Sequence, residues 1–148
     1  MEMTGKSNLS RLFVELSRSI LDAEEKTLIT GEFSDITLND IHVIDAIGDS
    51  EAASSSVIAG KLGVTMGTLT KAVDALVRKQ YVQRKRSDRD KRKVLLSLLE
   101  KGKQLYSLHG QFHEKMMEAA LSQLEPEETK QLTKSLSSLQ SYFSAVKV

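Results

Sequence analysis

The stretch SSSVIAGKLGVTMGTLTKAVDALVRK, residues 54–79, reads as two short helices with a tight turn between them. The Ser54, Ser55, Ser56 cluster supplies a cap, Val57 to Leu62 follow as a short helix, and Gly63 closes it in the manner of a left-handed helix stop. Thr65 caps the next helix almost at once, from Met66 to Lys79. Its Leu69, Val73, Leu76 and Val77 form an inward stripe, while Thr68, Thr70, Lys71, Asp74 and Arg78 face outward. Two short helices with only Gly63 and Val64 between them have the spacing of a helix-turn-helix.

Downstream, Tyr81 to Arg86 and Arg92 to Leu98 are alternating, aromatic or β-branched enough to be strands, and Ser87 to Lys91 join them as a polar turn. Upstream, Thr37 caps a helix from Leu38 to Ile47 that is apolar almost all round, so it is central and buried, and Gly48 ends it. Before that lies a polar break from Thr30 to Asp35. An amphipathic helix from Asn8 to Thr27 precedes the break, with Leu9, Leu12, Phe13, Leu16 and Ile20 on one face and Ser7 or Asn8 as its cap. From Gly102 the pattern returns to helix as far as Leu124. Pro126 then opens a last helix whose Leu132, Leu136, Leu139, Phe143 and Val146 recur at steps of four and three, a coiled-coil seam.

The fold class is therefore mainly α, with a small β-hairpin wing attached to a helix-turn-helix. Composition agrees: of 148 residues, 5% are aromatic and one is proline, so aliphatic side chains must fill a helix-on-helix interior. With no cysteine there is no disulfide framework, thiolate metal site or thiol redox sensor. A signal pattern and a membrane-length apolar run are both lacking, so the expectation is a cytoplasmic protein without a membrane partner. No nucleophile elbow, phosphate-binding glycine loop or catalytic cysteine is present, and no enzymatic activity is expected.

Charge is concentrated. Arg84 to Lys93 contain seven bases and two acids, a net of +5, against +1 for the whole chain. Asp22 to Glu51 contain nine acids and a single base, Lys26. Any polyanion must bind at the short basic segment. Duplex DNA requires cations to hold its phosphates and a slim element that enters the major groove. Met66, Thr68, Thr70 and Lys71 lie at the outward N-terminal face of the second motif helix, where base edges are read, and Arg78 lies farther along the same face. At the hairpin tip, Arg92 suits a narrow minor groove, and Asp90 can hold its guanidinium in a bidentate pair. Lys85, Arg86 and Arg89 are expected on phosphates. A pure interaction module using the C-terminal seam would leave this basic hairpin without a purpose.

These residues resemble the MarR family of transcriptional regulators over nearly the whole chain. The resemblance is carried by Val57 to Thr65, Leu69, Leu76 and Lys79, by the wing Ser87-Asp88-Arg89-Asp90-Lys91-Arg92-Lys93-Val94, and by Glu100-Lys101-Gly102. It implies a homodimer built by the first and last helices, with two winged motifs reading halves of a near-palindrome, and an Asp90 that orients Arg92. On it the chain divides into an N-terminal helix on the dimerisation and effector side (1–36), a winged helix-turn-helix domain (37–99) and C-terminal dimerisation helices (100–148). Ile41 to Gly48, Val64 to Thr68 and Leu108 to His113 are similar to the FabT branch, repressors of fatty-acid synthesis genes. In that branch acylated acyl carrier protein strengthens the hold on DNA. Two positions depart from the family pattern: Gln80 stands where Gly usually follows the recognition helix, and Leu99 where Thr usually caps the helix after the wing. A missing cap costs about 0.5 to 2 kcal/mol unless Ser97 or a shifted start compensates.

All three histidines fall on two helices of the body. His109 and His113 sit one turn apart, and with His42 and Glu24 they could complete a tetrahedral zinc site, an arrangement similar to that of zinc-responding relatives. The favoured reading is metal-free: the imidazoles hydrogen-bond one another or acids such as Asp45, and no cofactor is needed. A third reading places His109 and His113 at the opening of an acyl-binding cavity lined by Leu16, Ile20, Ile44, Leu108, Phe112 and Met116, with methionine adapting its shape to the chain.

Overall fold

A computed structural model describes residues 2–48 and 52–146, so Asp49 and Glu51 of the acidic stretch lie outside it. The chain divides into two compact units, residues 1–112 and 113–148. The first contains α1 (Glu2–Leu28), a short 3-10 helix (Gly31–Phe33), α2 (Leu38–Ile47), β1 (Ala53–Ser54), α3 (Ser55–Leu62), α4 (Met66–Arg78), β2 (Val82–Arg86), β3 (Val94–Leu98) and the first part of α5 (Glu100–Leu121). The second contains the rest of α5 and α6 (Pro126–Ala145).

The helix-turn-helix forms as its punctuation dictates. Ser54 Oγ accepts from the Val57 amide at 3.4 Å, and Gly63 stops α3 at φ 66°. Thr65 Oγ1 accepts from the Thr68 amide at 3.2 Å and so caps α4. At α2 the cap is reciprocal: Thr37 Oγ1 accepts from the Asp40 amide at 3.2 Å and Asp40 Oδ2 accepts from the Thr37 amide at 3.0 Å. The core gathers Ile41, Ile44 and Ile47 of α2, Ile58 of α3, Leu69, Val73 and Leu76 of α4, and Leu96 and Leu98 of β3.

The sheet has the order β1-β3-β2, with both pairs antiparallel. Val82 faces Leu98 and Arg86 faces Val94, so the wing hairpin is in the register its alternation requires. β1 pairs Ala53 with Leu96 and Ser54 with Leu95. A two-residue strand has no readable period, and it forms because β3 offers a free edge.

Several boundaries differ from the sequence reading: α1 ends at Leu28 and α4 at Arg78, and the wing strands begin at Val82 and Val94. α1 begins at Glu2, so Ser7 and Asn8 lie inside the helix and neither caps it; no proline stands upstream, and a helix runs through a single Gly5 at a cost of about 1 kcal/mol. The break after α1 is partly structured, because Phe33 and Ile36 are buried and draw it onto the core. α3 starts at Ser55 rather than Val57. α5 starts at Glu100 and ends at Leu121. Its start shifts without help from Ser97, whose Oγ accepts instead from Gln83 Nε2 at 3.0 Å. Glu100 takes the first turn, where the helix dipole favours an acid.

The exit from α4 shows how the chain manages without the usual glycine. Gln80 adopts φ 66°, its amide donates to Val77 O at 3.1 Å, and the Tyr81 amide donates to Leu76 O at 2.9 Å. These two bonds make a Schellman closure, with buried Leu76 and Tyr81 as its apolar contact. Tyr81 Oη then donates to Asp35 Oδ1 at 2.7 Å, and Lys101 Nζ stands 4.7 Å above the Tyr81 ring. Burial, followed by this hydrogen bond, raises the Tyr81 phenol, while the same bond holds the Asp35 carboxyl below its ordinary value. α5 packs closely here, since a Cβ on Gly102 would lie 2.2 Å from the Tyr81 carbonyl oxygen.

In the second unit, Pro126 opens α6 with Glu127 and Glu128 in the first turn. No described residue of α6 is buried, and Leu132, Leu136 and Phe143 of the seam are exposed.

Candidate nucleic-acid interface

α4 is anchored by Leu69, Val73 and Leu76, and that anchoring fixes which side chains look outward. Met66, Thr68, Thr70, Lys71 and Arg78 are all exposed, as a reading face requires. Thr65 Oγ1 donates to Thr68 Oγ1 at 2.9 Å, and Thr70 Oγ1 donates to Met66 O at 2.8 Å. Arg78, in the last turn, complements the negative end of the helix.

The wing holds its shape through its own polar groups. Ser87 Oγ accepts from the amides of Arg89 and Asp90, both at 3.3 Å, and the Lys93 amide donates to Asp90 O at 2.9 Å. Asp90 Oδ1 accepts from the Arg92 amide at 3.1 Å and from Arg92 Nε at 3.2 Å. One carboxylate oxygen takes both bonds, so the contact is not the two-pronged fork expected from the sequence. It still fixes the root of the guanidinium, while the Arg92 side chain remains 92% exposed. Arg86 Nη1 donates to Lys91 O at 2.8 Å, so part of the guanidinium expected on phosphate braces the hairpin. Lys85 and Arg89 are exposed and enter no ion pair among the described residues.

One link between wing and helix was not legible in the sequence: Arg84 Nη2 donates to Asp74 Oδ1. The two residues are ten apart on different elements, and only the reversal of the chain after α4 makes them neighbours. The pair neutralises the Asp74 carboxylate on the outward face of α4.

In the body of the first unit, Glu24 of α1 is 2% exposed and its Oε1 lies 2.5 Å from His109 Nε2 and 3.5 Å from His42 Nε2. His109 Nδ1 lies 3.2 Å from Asp45 Oδ1. The ring centroids of His42 and His109 are 6.4 Å apart. Imidazoles and acids are therefore assembled, with Glu24 as the hub. The nitrogen and oxygen donors suit zinc chemically, although a metal between Glu24 and His109 would require their direct contact to open. His113 follows one turn later on α5, in the second unit. Of the residues read as an acyl cavity, Ile44 and His109 are buried, Ile20 and Phe112 are half-buried, and Leu16 and Leu108 are exposed; in the second unit His113 and Met116 are half-buried. A separate pocket of about 150 Å³ lies between α2 and the helix-turn-helix, with His42, Leu62, Val64 and Thr68 in its wall.

Residues 36–94 match the model of the MarR family. The chain is 30% identical over 129 residues to the HTH-type transcriptional regulator YhjH of Bacillus subtilis, covering 79% of this chain and 74% of that protein. The chain belongs to the MarR family. As a MarR protein it is a DNA-binding transcriptional regulator and not an enzyme. It is similar to Streptococcus pneumoniae FabT, solved in complex with DNA, at a TM-score of 0.90 and 32% identity, over 96% of this chain and 99% of that one. The MepR–DNA complex of Staphylococcus aureus shares the winged-helix fold at a TM-score of 0.74 and 24% identity, over 91% of this chain and 97% of that one. Among the described residues, no helix of this MarR protein is long and apolar enough to cross a membrane.

Proposed function

We propose that this MarR regulator is a homodimeric cytoplasmic repressor of fatty-acid synthesis genes, with acylated acyl carrier protein or its acyl chain as effector. The observation that carries the reading is the likeness to FabT, which extends over almost the full length of both chains at a TM-score of 0.90. The exposed stripe of Leu9, Leu12, Phe13 and Leu16 on α1 and the open seam on α6 support a dimer. Apolar stripes of that extent are normally covered in a soluble protein. Two copies place two recognition helices about one turn of DNA apart, near 34 Å, and an effector acts by changing that spacing. Footprinting on genomic DNA selected by the protein tests the reading. Protected sites upstream of fatty-acid synthesis genes, held more tightly when long-chain acyl carrier protein is added, are expected. Unchanged DNA affinity with that partner would contradict the branch.

A second reading is favoured by one observation, the convergence of His42 and His109 on the buried Glu24 carboxylate. On it, Glu24, His42, His109 and His113 hold zinc, and the metal supplies a cross-link between helices rather than chemistry. Elemental analysis of the purified protein separates the two. Stoichiometric zinc, together with DNA affinity abolished by a chelator, selects the second.

A further inference from the structure

Thr68 and Thr70 share the exposed face of α4, yet their hydroxyls have opposite capacities left over. Thr70 Oγ1 lies 2.8 Å from Met66 O, one turn back. A carbonyl oxygen only accepts, so Thr70 commits its single proton there and keeps lone pairs and a methyl for whatever lies outside. For Thr68 the situation is reversed. Thr65 Oγ1 donates to Thr68 Oγ1 at 2.9 Å, which uses a lone pair, and no hydrogen bond among the described residues uses the Thr68 proton.

This difference has consequences at a duplex. Phosphate oxygens only accept, so Thr70 cannot hydrogen-bond the backbone while its proton is held by Met66 O. In the major groove the base groups that donate are adenine N6 and cytosine N4. Thr68, with a proton to give, suits phosphates or the acceptor edges of guanine, adenine and thymine. Gly67 bears on how close the DNA comes: a Cβ there would meet nothing within 4 Å in the protein. The fold does not require glycine at that point, and glycine weakens a helix relative to alanine. A bare first turn leaves room for the duplex against the main chain.

We propose that Thr70 is a specificity-determining residue that accepts a hydrogen bond from the exocyclic amino group of adenine or cytosine in the major groove, and that Thr68 acts beside it as a donor. The proposal rests on the DNA-binding function established above and is independent of the effector.

The test is selection of duplexes from a randomised pool by the full-length wild type and by Thr70→Val, Thr70→Ser and Thr68→Val. Valine keeps the shape and removes the hydroxyl; serine keeps the hydroxyl. Expected is one position in each half-site where the wild type selects adenine or cytosine and where Thr70→Val is roughly two- to tenfold less discriminating, the worth of one neutral hydrogen bond. Thr70→Ser retains that preference, Thr68→Val retains it too, and the salt dependence of Thr70→Val binding is that of the wild type. Gly67→Ala is expected to raise the melting temperature while weakening binding to every selected sequence. A folded Thr70→Val protein that selects the wild-type consensus with undiminished discrimination overturns the proposal, as does an affinity that falls equally for every sequence, which would place Thr70 on the DNA backbone. A wild type that selects no sequence at all overturns sequence reading by α4 altogether, and this proposal with it.

Discussion

α4 and the wing, the two elements assigned to DNA by the proposed reading, are held in place by different physics. α4 buries Leu69, Val73 and Leu76 in the core, so its outward residues are positioned by the hydrophobic effect and its ends by Thr65 and the Gln80–Tyr81 closure. Between β2 and β3 the wing buries nothing. Its shape comes from Ser87, Asp90 and Arg86 bonding to the hairpin's own backbone, and most of those bonds face solvent. Charge follows the opposite distribution: α4 carries Lys71, Arg78 and the paired Asp74, while Arg84 to Lys93 hold a net +5. A rigid, weakly charged element suits discrimination among bases. A solvated, cation-rich one suits the sequence-independent hold on phosphate.

If the division is real, substitutions should separate cleanly into those that cost stability and those that cost affinity. Leu76→Ala should have the largest effect, about 2 to 5 kcal/mol of unfolding free energy, because it opens a cavity under the reading helix; urea titration followed by circular dichroism measures it. Next comes Arg92→Ala. Stability should stay within about 0.5 kcal/mol, as for most surface changes, while operator affinity in a gel-shift titration falls roughly tenfold, the worth of a good groove interaction. A matching fall in stability would mean that the wing belongs to the core. Gln80→Gly should then stabilise by about 1 kcal/mol, because it relieves a left-handed non-glycine residue while leaving the DNA-facing side chains in place.

The smallest effect concerns Asp35, which steadies the far end of α4 through Tyr81. Its carboxyl is held low by the Tyr81 hydrogen bond, with Lys101 adding to it against the opposing effect of burial. A depressed folded value means that the contribution is complete above the unfolded value, about 3.9, and disappears as pH falls through the folded one. Asp35→Asn should therefore cost a few tenths of a kcal/mol at neutral pH, given how exposed the group is, and nothing at the acid end. Acid-unfolding midpoints followed by fluorescence of the tyrosines check it.

Local chemistry made α4 and the wing readable in the sequence. Thr37, Gly48, Gly63 and Thr65 punctuate the chain by capping rules that depend on few neighbours, and the basic cluster is visible as composition. What escaped depends on contacts between distant residues. β1 exists because β3 has an open edge, Phe33 is ordered by a core that its own polar surroundings conceal, and Arg84 meets Asp74 only after the chain reverses. At Gln80 the family pattern calls for glycine, yet two backbone bonds and the burial of Tyr81 enforce the same left-handed turn on a residue that is strained by it. The Glu24 hub was half legible, since residue types named its members and only the fold showed that Glu24, rather than a histidine, stands at the centre.

The salt dependence of DNA binding tests the division most directly. For the wing variant Lys85→Ala/Arg89→Ala, the slope of log affinity against log salt concentration should be shallower than wild type by about 2, near 0.9 for each phosphate that the variant no longer neutralises. Thr70→Val should keep the wild-type slope and lose only its preference among sequences. A wing variant with the wild-type slope, or a Thr70→Val protein with undiminished preference among sequences, would contradict the assignment of hold to the wing and discrimination to α4.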